Sequence, residues 1–174
     1  MSNLHAIASR LLKLTLMLTL ASSLLLLSGC GFQLRGVTQL SFKNLHIQGS
    51  TLSISRDLKH ALKTNGIQLV EKSEGAEFLV EMLGETYEKR ILSLSGGGLV
   101  REFELNYRVT FRTREAMKST WSSVQTVQSR RDFSYNDKAL LGKAEEEQML
   151  MSDMHKDAVR EVLRRLSAIK PSAE

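Results

Sequence analysis

Residues 102–112 read Glu-Phe-Glu-Leu-Asn-Tyr-Arg-Val-Thr-Phe-Arg. Phe103, Leu105, Tyr107, Val109 and Phe111 alternate without fault against Glu102, Glu104, Asn106, Arg108, Thr110 and Arg112. Successive side chains of a strand point to opposite faces, so this stretch predicts a long strand with one buried and one polar face. Upstream, Phe78, Val80 and Met82 alternate with Glu77, Leu79 and Glu81, and the segment runs on past Tyr87 towards Leu94. The run Ser93-Leu94-Ser95-Gly96-Gly97-Gly98 joins the two, which predicts an antiparallel hairpin with a glycine tip. A third strand is expected from about Trp121 to Phe133, where Val124, Thr126 and Val127 favour β structure; its blurred alternation fits a bulge or an edge position.

Outward from this hairpin the pattern changes. Residues 39–48 are rich in β-formers and predict a first strand. A helix is expected next, with Ser53 or Ser55 as N-cap, Leu58, Ala61 and Leu62 on one face, and Asn65-Gly66 as its stop. Ile67 to Val70 reads as a short extended segment. The chain ends in a long helix capped by Asn136 or Asp137, with Leu140, Ala144, Met151, Met154, Ala158, Val162, Leu166 and Ile169 recurring at helical spacing and Pro171 beyond its end. The order strand, helix, strands, helix predicts an α+β fold, a small mostly antiparallel sheet with two helices packed on one face.

The chain has 174 residues, 42% of them apolar and 25% charged, which is ordinary composition for one globular domain. Its formal charge of +5 and pI of about 9.5 raise nucleic acid as a partner class. Residues 1–29 weaken that idea. They hold no acid; Arg10 and Lys13 precede an apolar run from Leu14 to Leu27, and Leu27-Ser28-Gly29-Cys30 follows. A basic start, a short apolar stretch and small residues before a cut describe a secretory signal. Leu-Ser-Gly-Cys resembles the bacterial lipobox, so residues 1–29 are expected to be removed and Cys30, the single cysteine, to carry the diacylglycerol and N-acyl anchor. The residue after it is Gly31 rather than the Asp that commonly retains such proteins at the inner membrane, which points to the outer membrane. Residues 30–174 then form the single mature domain, and loss of Arg10 and Lys13 lowers the charge from +5 to +3. An exported, acylated protein is not expected to bind nucleic acid.

Catalytic chemistry has no foothold in the pattern. His46, His60 and His155 stand apart, without metal-ligand spacing. No serine lies in a nucleophile motif, and Gly96-Gly97-Gly98 sits between strands rather than opening a helix. Glu145-Glu146-Glu147 reads as a solvated helix face. No enzyme, metal or cofactor is expected. Basic residues are more informative. Lys156, Arg160 and Arg164 form a stripe with Asp157 and Glu161 at pairing distance. Arg108 and Arg112 lie on the central strand, with Arg101 before it and Arg114 just beyond, Arg90 on its partner and Arg130-Arg131 on the next; such arginines can bind an anion bidentately or pair across strands with Glu102 and Glu104.

Cys30-Gly31-Phe32-Gln33-Leu34-Arg35-Gly36 resembles the mature N-terminus of the LptE family of lipopolysaccharide-assembly lipoproteins. The resemblance continues through Ser55-Arg56-Asp57-Leu58, Asn65-Gly66-Ile67-Gln68-Leu69, Arg101-Glu102-Phe103-Glu104-Leu105, Ala139-Leu140-Leu141-Gly142-Lys143, Glu147-Gln148-Met149 and Arg164-Arg165-Leu166. It implies an outer-membrane lipoprotein that plugs the lumen of the LptD β-barrel, assists assembly of that barrel and binds lipopolysaccharide during its insertion into the outer leaflet. It further implies that Lys143 contacts a lipid A phosphate. The family's second basic position, near the hairpin tip, falls on Gly96-Gly97-Gly98, so Arg90 or Arg101 is the expected substitute. The alternative is a structural or barrel-assembly lipoprotein of the outer membrane without a lipopolysaccharide role.

Overall fold

The computed structural model describes residues 40–136 and 140–169, together with Met17. The chain divides between Gly36 and Val37, and the architecture here is that of the unit that follows. The expected signal segment apart from Met17, and Cys30, Asp137 and Pro171, lie outside the described residues.

In chain order the elements are β1 (Asn44–Gly49), α1 (Ser55–Thr64), β2 (Gln68–Leu69), a single 3-10 turn (Ser73–Gly75), β3 (Phe78–Leu94), β4 (Val100–Glu115), β5 (Gln125–Ser134) and α2 (Leu140–Ser167). They build one five-stranded sheet in the order β2-β1-β3-β4-β5. β3, β4 and β5 pair antiparallel, as tight connections allow, whereas β1 runs parallel to both its neighbours. The fold is therefore α+β with a mostly antiparallel sheet, as the sequence predicts. Both helices contribute to one apolar core: Leu58 and Leu62 of α1 and Met154, Ala158, Val162 and Leu166 of α2 join Leu45, Val80, Met82, Leu105, Tyr107, Val109 and Phe111 of the sheet.

Two local expectations need correction. Neither Ser53 nor Ser55 caps α1; Ile54 holds the N-cap position and makes no side-chain capping bond. Ser55 Oγ instead accepts the N–H of Leu52 (2.8 Å), and Ser53 turns to the sheet, donating its N–H (2.7 Å) and hydroxyl (2.8 Å) to Glu85. Tyr107 donates its hydroxyl to the same carboxylate (2.5 Å). Burial pushes the Glu85 carboxyl upward, but the donors from Tyr107 and Ser53 prevail and hold it below the ordinary range. The second correction concerns β4, whose polar face is not uniformly wetted: Glu104 and Asn106 are 6% and 7% exposed. Neighbouring strands flank β4 on both sides, and their arginines cover its carboxylate. The stop of α1 is as expected. Gly66 (φ +79°) donates to Lys63 O and Ile67 to Leu62 O, a left-handed termination in which Ile67 is itself buried.

Candidate functional site

The site expected from sequence lies where β5 ends and α2 begins. Ser134, the last residue of β5, pairs with Glu102 of β4. Lys143, in the first turn of α2, donates Nζ to Ser134 Oγ (3.1 Å) and to Glu146 Oε2 (2.6 Å), leaving its side chain 18% exposed. Arg101 is exposed at the start of β4, and its carbonyl accepts the N–H of Tyr135 (2.7 Å). Arg101, Ser134 and Tyr135, with Ser93, Leu94 and Glu102, line a shallow cavity of about 470 Å³. Among the described residues the Arg101 guanidinium has no hydrogen-bond or ion-pair partner. Lys143 thus holds the Ser134 hydroxyl, and Ser134 lines one cavity with Arg101. An unpaired guanidinium, a singly paired ammonium and two hydroxyls form a suitable surface for a phosphate group.

Arg90 does not join them. It lies opposite Glu104 in the β3–β4 register, on the sheet face away from the helices, and donates Nη2 to that carboxylate (2.6 Å). Arg130 approaches the other oxygen of Glu104 (3.0 Å), and Asn106 donates to the oxygen that Arg90 bonds (2.6 Å). The Asn106 amide and the Arg90 guanidinium hold the Glu104 carboxyl below its ordinary range. Arg112 pairs in the same way with Glu81. On this open face the cross-strand ion pair is therefore what most of the arginines do, and Arg108 remains exposed among them. Trp121, in the loop after β4, lies under the guanidinium groups of both Arg112 (4.8 Å) and Arg114 (5.2 Å).

Glu147 also departs from expectation, since it reaches the sheet instead of facing solvent. It accepts hydrogen bonds from Lys89 Nζ (2.5 Å) and the Tyr87 hydroxyl (2.9 Å). Lys89 in turn stands over the rings of Phe103 (4.4 Å) and Phe133 (5.5 Å). Burial and the Glu147 carboxylate push the Tyr87 hydroxyl well above its usual range, so it remains a donor. This latch fixes the first half of α2, and with it Lys143, against the hairpin. Lys89 was not legible, because a register shift between Met82 and Gly84 moves the helix-covered face of β3 from even to odd positions, and Lys89 then pairs with Leu105. Ser134 and Tyr135 carry no sequence signal; only the closure of β5 against α2 gives them a role.

The remaining helical charges pair locally. Lys156, Arg160 and Arg164 meet Asp153, Asp157 and Glu161, and Arg165 also reaches Glu161 (3.0 Å). Hydrogen bonds from Arg164, then from Arg165, bring the Glu161 carboxyl down to about 2 from its ordinary 4.5. A group depressed in this way stabilises the fold above its unfolded-state value and loses that contribution as pH falls through the folded one. Stability of the domain should therefore decline between pH 4.5 and about 2. In an acid titration followed by circular dichroism, Glu161→Gln should show a shallower decline over that window than the parent protein.

The comparisons with known proteins agree on one family. The LptE family model, described as lipopolysaccharide-assembly, matches residues 42–166. The chain is 29% identical over 162 residues to the LPS-assembly lipoprotein LptE of Photorhabdus laumondii, covering 90% of this chain and 86% of that protein. Among solved structures, lipoprotein B of Nitrosomonas europaea is 42% identical, with a TM-score of 0.70 over 79% of this chain and 91% of that one. The rare lipoprotein B of Shewanella oneidensis, 23% identical, shares the fold with a TM-score of 0.66 over 72% of this chain and 95% of that one.

Proposed function

The chain belongs to the LptE family of lipopolysaccharide-assembly lipoproteins, and from that membership we propose that it plugs and assists assembly of an LptD-type β-barrel and binds lipopolysaccharide there. Family membership itself supports a role in lipopolysaccharide transport. The observation that carries the finer reading is the unpaired Arg101 guanidinium in the cavity it shares with Ser134, whose hydroxyl Lys143 holds, a cationic surface suited to the phosphates of lipid A. Arg90, spent on Glu104, has no part in it. The charged, hydrogen-bonded open face of the sheet suits the wetted wall of a barrel lumen, where ion pairs and bridging waters replace an apolar seal. Acylation at Cys30, with removal of residues 1–29, supplies the tether to the outer membrane; no helix among the described residues is long and apolar enough to cross a membrane.

Two measurements test this. Lys143→Glu replaces attraction by repulsion at the phosphate surface and should weaken lipopolysaccharide binding at least tenfold, as should Arg101→Glu, with thermal unfolding little changed. Unchanged affinity in both variants would remove the site. Detergent purification of the acylated chain should recover a stable complex with one large β-barrel, and purification without such a partner would leave the structural-lipoprotein alternative.

A further inference from the structure

Beyond the last β4–β5 pair, Glu102 with Ser134, the sheet narrows to a two-stranded ribbon ending in the turn at residues 95–99. Residues 91–100 carry no charged side chain. Ile91, Leu92, Leu94 and Leu99 stand 57%, 45%, 55% and 64% exposed, an unusual concentration of large apolar side chains in water. The polar side chains of the ribbon are already engaged. Ser93 donates its hydroxyl to Glu102 (2.6 Å), and Ser95 Oγ accepts the N–H of Leu99 (3.1 Å). The turn closes on itself through Ser95 N–H to Leu99 O (2.7 Å) and Gly98 N–H to Ser95 O (2.9 Å).

We propose that this ribbon holds the acyl chains of the phosphorylated lipid whose phosphate meets Arg101 and Lys143. The inference rests on the lipopolysaccharide reading and deepens it by assigning the apolar half of the ligand. The chemistry selects the occupant. An acyl chain requires only apolar surface. At the base of the ribbon lies the cavity lined by Ser93, Leu94, Arg101 and Ser134, with the unpaired guanidinium at its rim. Apolar finger and cationic base stand in the same order as acyl chain and phosphate in a phosphorylated lipid. At about 3.3 Å per residue the ribbon offers an apolar length comparable to part of one such chain.

The test compares intact lipopolysaccharide with fully deacylated lipopolysaccharide that keeps its phosphates, using the full acylated chain in mild detergent. Leu92→Ser combined with Leu99→Ser, both outside the cavity lining, should weaken binding of the intact ligand at least fivefold and leave the deacylated ligand unaffected. Equal affinity for the intact ligand in variant and parent, or equal loss for both ligands, overturns the assignment while leaving the phosphate site standing. A parent protein that binds neither ligand overturns the lipopolysaccharide reading and this inference with it. A fluorescent reporter gives a second measurement: Leu94→Trp in a Trp121→Phe background, which removes the sole native tryptophan. Its emission should shift to the blue with intact but not deacylated ligand. A blue shift that grows with protein concentration in the absence of lipid would instead identify a second copy of the chain as occupant and overturn the proposal.

Discussion

Replacement of Phe111 by alanine is expected to destabilise the domain by about 3–5 kcal/mol, the range for removing a buried aromatic ring from a close-packed core. Phe111 is 0% exposed and lies on β4 beneath both helices, opposite Met82 of β3. Its neighbours belong to separate elements that are fixed by their own hydrogen bonds, so they relax only partly into the space left behind. Against a typical stability of about 5–15 kcal/mol the loss is large, and it should lower the melting temperature by on the order of 10–15 °C. Calorimetry or denaturant titration measures it directly. A loss below about 1 kcal/mol would mean that the core is not packed as described.

The second large effect concerns Gly49, at the end of β1. Its φ of +93° lies where side chains are rarely tolerated, and a Cβ built there would stand 2.3 Å from Met82 O and 3.0 Å from Met82 N. Gly49 is paired with Met82, and Ser50 donates to the same carbonyl (2.8 Å), so the atoms in the way are ladder backbone that cannot rotate aside. Left-handed strain alone costs about 1–2 kcal/mol, and the clash requires β1 to shift against β3 as well. Gly49→Ala should therefore lose about 3 kcal/mol or more in urea unfolding. The contrast is Gly66→Ala, at φ +79° with nothing within 4 Å of the added methyl, which should cost only the conformational strain. Equal losses at the two positions would show that crowding at Met82 contributes nothing.

Period two was readable wherever one face of a strand meets apolar core and the other meets water. That is why β4 and the start of β3 stood out in the letters alone. It failed at Glu104, because burial on the open face comes from the reach of Arg90 and Arg130 on neighbouring strands, which periodicity within one strand does not record. The cap of α1 was misread for a related reason: Ser53 had a stronger acceptor available in Glu85, a partner 32 residues away. At the site, lysine and arginine were identifiable as candidates by type and by family resemblance. Which of them share a surface depended on strand parity and register. Arg90 and Arg101 sit on the two strands of one hairpin neck, and only the ion pair of Arg90 with Glu104 takes it out of the site.

By itself the sequence determined the α+β class, the central hairpin, the terminal helix and the expectation of a lipid-anchored lipoprotein, because each rests on local patterns of polarity or on a short processing motif. Tertiary structure alone decided that β1 lies parallel between β2 and β3, that Glu147 latches α2 to the sheet, and that Lys143 bonds Ser134 beside the Arg101 cavity while Arg90 is spent on Glu104. Those outcomes depend on register and on side chains far apart in the chain, where a one-residue shift would exchange the two faces of the sheet.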